Sequence, residues 1–438
     1  MHDTHEGIVF FVTSDFSGLV RGRGVPARNL PAFLETGCGW VPADQAINAF
    51  DVIGEGNPFG SSGDLRLMPD PATEVRIAGN AGRPPWHFFL ADIQSLDGAP
   101  WSCCARGFLK AALADLEQRF GLGLSVAFEH EFTLLGDPAP APGFSMRAFR
   151  RQETLVTAIA SALRAAGAAP EMILPEFGPG QFEITLPPAP ALTAADRAVV
   201  FREVVRDVAE RQGSRATFAP KIRPEGVGNG VHIHLSLNDS KGRPVTYDAD
   251  GPGELSAPAA AFAAGVLRHA DALVALTAPS VVSYLRLKPH HWATAFACLG
   301  RQNREATIRI CPRARAGGDP AAGHHLEYRA ADATASPYLA LGALVRAGLA
   351  GLAENLPAPP LVDTDPAELD AAECERLGVR PLPASLAAAL DALAADKVAM
   401  TWAAPDFWAC YLAMKRSEWA GLADYDHVAL CDAYSRVY

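Results

Sequence analysis

The sequence lacks a long apolar run, a basic amino-terminal leader and any excess of positive charge. No stretch offers about 20 uninterrupted apolar residues, and the opening segment MHDTHEGIVFFVTSDF has no basic region followed by a long apolar one. Lys and Arg total 38 against 49 Asp and Glu, a formal net charge of −11. This balance gives no long-range attraction to nucleic acid or to an anionic membrane. We therefore expect a cytoplasmic protein that binds neither, and that holds anionic ligands through local arginines or metal ions.

Cysteine is also sparse and scattered. The eight cysteines show neither CxxC spacing nor a dense framework, which predicts free thiols in a reducing compartment, without disulfides or structural zinc. They are Cys38, Cys103, Cys104, Cys298, Cys311, Cys374, Cys410 and Cys431.

The length of 438 residues exceeds what one hydrophobic core usually serves, and predicts two domains. Alternating apolar and polar residues from Ile8 to Pro26 flank Ser17-Gly18, as in a β-hairpin. A Pro- and Gly-rich stretch over residues 82–100 precedes a helical pattern at Ala105–Phe120. We place the domain boundary near residue 100, with domains at 1–100 and 101–438.

Strand-like and helical patterns alternate beyond that boundary and predict a mixed body with both element types. The predicted strands are Leu124–Leu135, Gln181–Leu186 and Val231–Leu237. The predicted helices are Ala148–Ala166, Ala194–Arg211, Pro258–Leu276 and Pro337–Leu352, followed by a helical tail from Ser385 onward.

Paired acids occur on one of these predicted strands and paired imidazoles on another. On a strand, residues i and i+2 share a face, so Glu129 and Glu131 project together and repel each other unless a cation lies between them. His232 and His234 share a face in the same way, after a glycine turn. For the acids, a solvent-facing strand with alternating charge is an equally good explanation when the motif is taken alone.

A glycine-proline turn separates Glu176 from Glu183 in the segment PEFGPGQFEI. Such a turn lets the backbone approach a ligand closely. Taken alone, this segment is explained slightly better as an ordinary hairpin with surface acids.

Four arginines follow in short motifs and could hold carboxylates or phosphates with their fork of donors. Each is weak evidence alone, because surface arginines are common. They are Arg286 in SYLRLKP, Arg304 and Arg309 in NREATIRI, and Arg329 in HLEYR.

Together these motifs resemble the glutamine synthetase family, type I-like. The blocks E-x-E, E-x6-E, GNGVHIH, SYLRLKP, NR-x4-R and E-x-R follow the family's order over roughly residues 50 to 345. The segments SDFSGLVRGRGVP and GDLRLMPDP are similar to the family's small β-grasp domain. The resemblance implies an α+β fold, with an N-terminal β-grasp domain and a large catalytic domain whose curved antiparallel sheet is flanked by helices.

The resemblance also implies the roles of site residues. Two or more Mg²⁺ or Mn²⁺ ions would be held by Glu131, Glu176 and Glu183 on one side and by Glu129, His232 and Glu327 on the other. ATP would phosphorylate the γ-carboxylate of L-glutamate, and an amine would displace the phosphate. Arg286, Arg329 and the loop at Gly228 would bind glutamate; Arg304 and Arg309 would act in catalysis and, with His234 and Ser236, in ATP binding.

Several positions depart from the family pattern. At the ammonium site, Trp292 stands where glutamine synthetases carry a glutamate, and Asp51, to which the resemblance gives a catalytic role, matches the ammonium-binding aspartate only loosely. Val227 replaces an asparagine of the glutamate-binding glycine loop, and His325 replaces an arginine expected two residues before Glu327. We expect an organic amine as acceptor, as in ligases that make γ-glutamyl-amines or γ-glutamyl-polyamines, with Trp292 contacting it. Ordinary glutamine synthetase and an inactive structural or regulatory relative are the alternatives. The family further implies a homo-oligomer, commonly a dodecamer of two stacked hexameric rings.

Overall fold

The computed structural model describes residues 6–79, 84–136, 141–312 and 319–438. A small amino-terminal sheet is followed by a large sheet covered by helices, which confirms the predicted α+β class. All eight cysteines are unpaired.

The small domain is a six-stranded sheet in the order β2-β1-β6-β4-β3, with β5 also paired to β6. Its elements are β1 (Ile8–Ser14), β2 (Val20–Pro26), α1 (Leu30–Thr36), β3 (Cys38–Trp40), β4 (Leu65–Pro69), β5 (Val75–Ile77) and β6 (Trp86–Gln94). Strands β1 and β2 form the predicted hairpin, with Ile8 opposite Pro26. Buried apolar side chains of this sheet, among them Phe11, Leu67 and Phe89, form a core of their own.

The large domain contains ten strands in one sheet, ordered β16-β13-β14-β15-β12-β7-β9-β8, with β10 and β11 also paired to β7. Neighbouring strands are antiparallel except β13 and β14. The strands are β7 (Leu122–Leu135), β8 (Met172–Pro175), β9 (Gln181–Thr185), β10 (Ala189–Pro190), β11 (Arg215–Thr217), β12 (Val231–Asp239), β13 (Phe296–Arg301), β14 (Ala306–Ile310), β15 (Leu326–Tyr328) and β16 (Arg380–Pro381).

Helices pack around this sheet and account for most of the large core. They are α2 (Ala105–Phe120), α3 (Met146–Ala165), α4 (Ala191–Arg211), α5 (Ala257–Arg268), α6 (Ala270–Thr277), α7 (Ser283–Arg286), α8 (Pro320–Gly323), α9 (Pro337–Ala353), α10 (Ala371–Leu377), α11 (Leu386–Ala395), α12 (Pro405–Gly421) and α13 (His427–Val437). Helix α2 has the predicted bounds, because Gly121 takes the left-handed conformation that ends it.

The single helix predicted over Pro258–Leu276 is wrong. Two helices, α5 and α6, occupy this segment and meet at a bend of 78°. His269 leaves the helical conformation at the junction and pairs through Nδ1 with Asp396 at 2.5 Å. Apolar residues continue on both sides of His269, so periodicity alone does not reveal the break. Among the described helices none alone is long and apolar enough to cross a membrane, although α5 and α6 together meet that test by length and composition.

One buried arginine connects the small domain to the helices of the large domain. Arg106 on α2 pairs with Asp70 at 2.9 Å, Asp92 at 3.0 Å and Asp196 at 2.9 Å. Asp70 follows β4 and Asp92 lies in β6, whereas Asp196 lies in α4. The guanidinium is almost fully buried, so the small domain is fixed to the helical layer by charges shielded from water.

Strand β7 separates the core from the face that carries the polar motifs. His130 points into the core, where its ring stacks on Phe201 at 4.6 Å between centroids. Burial lowers the pKa of His130 well below its usual value, so this imidazole is a neutral core residue. Glu129 and Glu131 therefore project from the opposite face, as their spacing predicts.

Candidate active site

A row of polar side chains crosses five adjacent strands of the large sheet. Cross-strand register places Glu183 of β9 opposite Glu131 of β7, and His232 of β12 opposite Glu129. Glu327 of β15 lies opposite Arg309 of β14. Side chains directly opposite each other in antiparallel strands are about 5 Å apart at Cβ, so the register alone gathers these groups.

Glu129, His232 and Glu327 form a compact group whose ligand atoms all lie within 4.8 Å of one another. His232 Nδ1 is 2.6 Å from Glu129 Oε1 and 3.5 Å from Glu327 Oε1. Burial alone would raise the pKa of Glu327, but Arg329 and the two imidazoles of β12 outweigh burial and lower the pKa to about 2. The group is thus anionic at neutral pH and has the oxygen-rich composition that suits Mg²⁺ or Mn²⁺.

Glu131, Glu176 and Glu183 lie together beside that group. Burial raises the pKa of Glu183, and repulsion from Glu129, Glu131 and Glu176 raises it further. Burial and repulsion from Glu131 likewise raise the pKa of Glu176 to about 7. Carboxylates that hinder each other's ionisation in this way fit a divalent cation between them, because the cation removes the repulsion.

The two predicted ligand sets differ in how close their ligand atoms lie to one another. Among the described residues, two groups of three have all ligand atoms within 4.8 Å: Glu129, His232 and Glu327, and His234, Cys311 and His325. The predicted set Glu131, Glu176 and Glu183 is not one of them. Glu131 instead accepts a hydrogen bond from the amide of Gly230 at 2.6 Å.

The predicted nucleotide side of the row contains a pair of imidazoles. His234 Nδ1 lies 3.1 Å from His325 Nε2, and His325 Nδ1 lies 3.0 Å from the carbonyl of Gly323. Burial, followed by the proximity of His234, lowers the pKa of His325 to about 4. His325 is therefore neutral at pH 7 and does not replace the positive charge of the arginine expected there. Ser236 lies two residues beyond His234 on the same face, opposite Ser125.

A cavity of about 290 Å³ opens next to the acids. Its lining includes Glu131, Glu176, Phe177, Gln181, Glu225, Gly226, Val227, Gly228, His232, Arg286, His290, His291, Trp292 and Ala293. Arg286 donates from Nη2 to the carbonyl of Ala331 at 2.6 Å, while its buried Nε has no partner among the described residues. Gly228 must lack a side chain, because a Cβ there would lie 2.6 Å from Cγ of Arg286. Arg286 thus lines the cavity and has a buried donor that no described residue uses.

Trp292 stands on a strained segment at this cavity. Its φ of 53° lies in the left-handed region, which costs a bulky residue about 1–2 kcal/mol. Two hydrogen bonds hold the backbone in place: the Trp292 carbonyl accepts from Arg329 Nη2 at 2.9 Å, and the Trp292 amide donates to Glu305. The indole itself is 65% exposed. The segment therefore projects the side chain rather than burying it.

The other predicted site residues differ in whether they contact the acidic groups. Arg309 donates from Nη1 to Glu327 at 2.7 Å. Arg329 is buried, pairs with Glu327 and donates from Nε to the carbonyl of Arg304 at 2.9 Å, so much of its donor capacity is used within the protein. Asp51 is 80% exposed and pairs with Arg21 at 3.0 Å, outside the cavity. Within one chain, Asp51 does not meet the acids, and its catalytic role stays a prediction.

Sequence patterns missed several residues that shape the site. Gln181 donates from Nε2 to the carbonyl of Gly228 at 2.8 Å and to Asn229 at 3.0 Å, and so ties the acidic turn to the glycine loop. Glu305 holds the segment of Trp292. Gln181 lies inside a recognised motif, so its position was a usable signal. No sequence signal marked Glu305, because its role depends on a contact that forms only on folding.

Comparisons with known proteins match both parts of the chain to one family. The family model "Glutamine synthetase, catalytic domain" matches residues 102–433, and "Glutamine synthetase N-terminal domain" matches residues 2–101. A gamma-glutamylpolyamine synthetase, GlnA3, of Streptomyces coelicolor is 36% identical over 97% of this chain and 92% of its own. A glutamine synthetase of Thermococcus kodakarensis is 33% identical over 94% of this chain and 89% of its own. A crystal structure described as a novel glutamine synthase homolog superposes with a TM-score of 0.92 at 43% identity, covering 100% of both chains.

Proposed function

The chain belongs to the glutamine synthetase family of carbon–nitrogen ligases, and we propose that it joins an organic amine, rather than ammonia, to the γ-carboxylate of L-glutamate. The observation that carries the proposal is Trp292 at the cavity wall, where a glutamate that selects ammonium would be expected. An indole cannot accept a proton from ammonium or balance its charge. It can instead contact the substituent of a larger amine.

Divalent cations fit both acidic groups, and family members use them with ATP. Glu129, His232 and Glu327 would hold one ion, and Glu131, Glu176 and Glu183 a second. When bound, such ions neutralise the phosphate oxygens of ATP and help bring the attacking carboxylate to them.

Arg286 would bind glutamate. Its guanidinium is buried at the cavity wall and its Nε has no partner in the part of the chain that the structure describes, which suits a carboxylate better than an exposed arginine would. The loop at Gly228 lies against Arg286 and would contact the α-amino end of the same substrate. Together they would orient the γ-carboxylate toward the acids and the nucleotide.

Two arginines, Arg309 on β14 and Arg304 in the loop before it, would bind ATP. Arg309 lies next to Glu327 and Arg304 lies near Glu176, so both can contact the transferring phosphoryl group, while His234 and Ser236 would line the nucleotide.

One γ-carboxylate oxygen attacks the γ-phosphorus of ATP, and ADP leaves. The product, γ-glutamyl phosphate, must be shielded from water, which would hydrolyse it. Arg329 is buried and supports Arg304 and Trp292 through their carbonyls.

A phosphate-release assay tests the proposal. With glutamate, ATP and Mg²⁺ fixed, ammonium, ethylamine, putrescine and aniline are compared by kcat/KM. We expect at least one organic amine to exceed ammonium. Ammonium as the best acceptor would instead indicate an ordinary glutamine synthetase.

The same assay tests the alternative of an inactive relative. Glu131→Ala should abolish glutamate-dependent phosphate release, whereas Asp391→Ala, which removes an exposed acid outside the cavity, should not. Equal activity of the two variants would contradict the role of the acidic groups.

We also propose a ring-shaped homo-oligomer, with two stacked hexamers as the family implies, and a cytoplasmic location, which the unpaired cysteines support. Asp51 is exposed on the small domain and could then reach the cavity of a neighbouring subunit. Sedimentation velocity would show a single large species, and a monomer would contradict this.

A further inference from the structure

Three apolar side chains share the cavity wall and are exposed to solvent there. Phe177 is 67% exposed, Trp292 65% and Val227 39%. They come from three separate segments: the acidic turn, the glycine loop and the strained segment before β13. Exposed apolar side chains that converge on one cavity indicate a ligand-binding surface, whereas isolated ones need no explanation.

Each of the three is held in place by polar contacts of its own segment. The amide of Phe177 donates to the carboxylate of Glu176 at 3.1 Å. Val227 lies between two anchored carbonyls, that of Gly226, which accepts from Lys221, and that of Gly228, which accepts from Gln181. The backbone of Trp292 is bonded on both sides, as described above. The backbone at these three positions is therefore fixed by contacts within the protein rather than by a ligand, which favours binding.

The apolar surface continues outward from the cavity. The ring of Phe144 lies 6.4 Å from that of Phe177 and is itself half exposed. Aromatic rings at this separation form a surface on which a further ring can stack. A substituent attached to the acceptor nitrogen would thus find apolar groups both in the cavity and at its rim.

Basic side chains surround the same wall. Arg286 lines the cavity, and Lys221 and Lys288 lie close enough to His291 that, after burial, they are the next largest causes of its lowered pKa. Apart from Glu131 and Glu176, Glu225 is the one acid in the described lining, and it faces the charge of Lys221. Because Glu131 and Glu176 are predicted metal ligands and Glu225 is compensated by Lys221, a second ammonium group on the acceptor would find no uncompensated acid in the described lining.

We propose that the acceptor is a monoamine whose substituent is an uncharged hydrocarbon group, preferably aromatic, that packs between Phe177, Val227 and Trp292. This inference rests on the proposed function and specifies its substrate class. The amine nitrogen attacks the carbonyl carbon of γ-glutamyl phosphate and forms the C–N bond. The bond from that carbon to the phosphate oxygen breaks, its electron pair leaves with phosphate, and one amine proton passes to solvent.

A matched pair of amines tests the charge argument. Butylamine and putrescine have the same four-carbon chain and differ in one terminal ammonium. We expect kcat/KM for butylamine to exceed that for putrescine by about 10-fold or more, and benzylamine to exceed butylamine, since ring and methylene contacts in apolar sites are typically worth about 10- to 200-fold. Putrescine equal to or better than butylamine overturns this inference and leaves the proposed function standing. Ammonium as the best acceptor overturns both, as does the absence of glutamate-dependent phosphate release with every amine.

Substitutions test the wall itself. Trp292→Ala and Phe177→Ala should each raise KM for benzylamine by about 10-fold or more without changing KM for glutamate, and Trp292→Phe should restore most of the loss. Trp419→Ala is the matched control, because Trp419 is a 45% exposed tryptophan on α12 outside the cavity lining. Unchanged benzylamine KM in both alanine variants overturns the proposal. So does dissociation of the oligomer by Trp292→Ala in sedimentation velocity, because the indole would then belong to a subunit interface.

Discussion

The carbonyl oxygen of Trp292 accepts a hydrogen bond from Nη2 of Arg329 at 2.9 Å. Through Nη1 the same guanidinium pairs with Glu327, a member of the compact acidic group. The segment that would contact the amine is therefore tied to the group that would hold a metal ion. Because this connection uses the backbone of Trp292, the indole can be replaced without breaking it.

Arg286→Lys should weaken glutamate binding. Lysine keeps the charge but loses the planar fork, and a hydrogen bond to a charged group contributes about 1.5–3 kcal/mol, so KM for glutamate should rise roughly 10- to 100-fold. The control is Arg301→Lys, which alters an exposed arginine paired with Asp363 at 2.6 Å. Steady-state kinetics with glutamate as the varied substrate would measure both, and an unchanged KM in Arg286→Lys would contradict the assignment.

Glu183→Gln should separate stability from metal binding. Burial and repulsion from Glu129, Glu131 and Glu176 raise the pKa of Glu183 to about 10, so folding without metal makes this carboxyl take up a proton at neutral pH. Glu183→Gln removes that cost and should leave the Tm of the metal-free protein unchanged or higher. The increase in Tm on adding Mn²⁺ should shrink, since a ligand is lost. Differential scanning calorimetry with EDTA and with Mn²⁺ gives both values. A full Mn²⁺-induced increase in the variant would exclude Glu183 as a ligand.

Arg106→Met should destabilise the fold severely. It removes the cation from three aspartates that lie around a buried position, and breaking such a pair costs about 3–5 kcal/mol. Lys110→Met is the control: Lys110 pairs with Asp92 at 2.7 Å but is largely exposed, so about 0–1 kcal/mol is expected. Urea unfolding followed by circular dichroism would compare them. Similar losses in the two variants would contradict the structural role of Arg106.

The pair His269–Asp396 should make stability fall in acid. Burial is the largest single effect and would raise the pKa of Asp396, but the hydrogen bond and charge of His269 and the amides of Ala399 and Val398 together outweigh burial and lower the pKa below 3.8. The unfolded chain therefore binds the proton of Asp396 more tightly than the folded protein does. The stabilisation by this pair is complete above about pH 4, near the unfolded-state pKa, and is lost as the pH falls through the lower folded-state pKa.

Asp396→Asn removes that titration and should therefore show a smaller decrease in the urea midpoint between pH 5 and pH 3.5 than the unsubstituted protein. Equal decreases would contradict the assignment. Asp391→Asn, which alters a 75% exposed side chain in the preceding helix α11, is the control.

Much of the site follows from spacing within single strands. The i, i+2 pattern places Glu129 and Glu131 on one face, and His232 and His234 on another strand in the same way. Spacing does not predict which residues lie opposite these pairs on neighbouring strands. The register that places Glu183 opposite Glu131 and His232 opposite Glu129 arises from pairing of segments that are distant in sequence. The resemblance to a known family, rather than spacing, indicated that these motifs form one site.

Loops and breaks were harder to predict than strands. The bend at His269 depends on Asp396, 127 residues away, and no local signal marks it. Phe177 belongs to a recognised motif, yet its exposure beside Trp292 and Val227 reflects how three separate segments pack around one cavity. The sequence shows which residues occupy such positions but does not show that they converge on one cavity.

The most direct test of the account uses glutamate labelled with oxygen-18 in the γ-carboxylate. The protein is incubated with this substrate, ATP, Mg²⁺ and equimolar ammonium and benzylamine, and the products are analysed by mass spectrometry. Attack of the carboxylate on ATP predicts γ-glutamylbenzylamide as the main product, with one oxygen-18 transferred to inorganic phosphate for each amide formed. Glutamine as the main product, or phosphate without label, would contradict it.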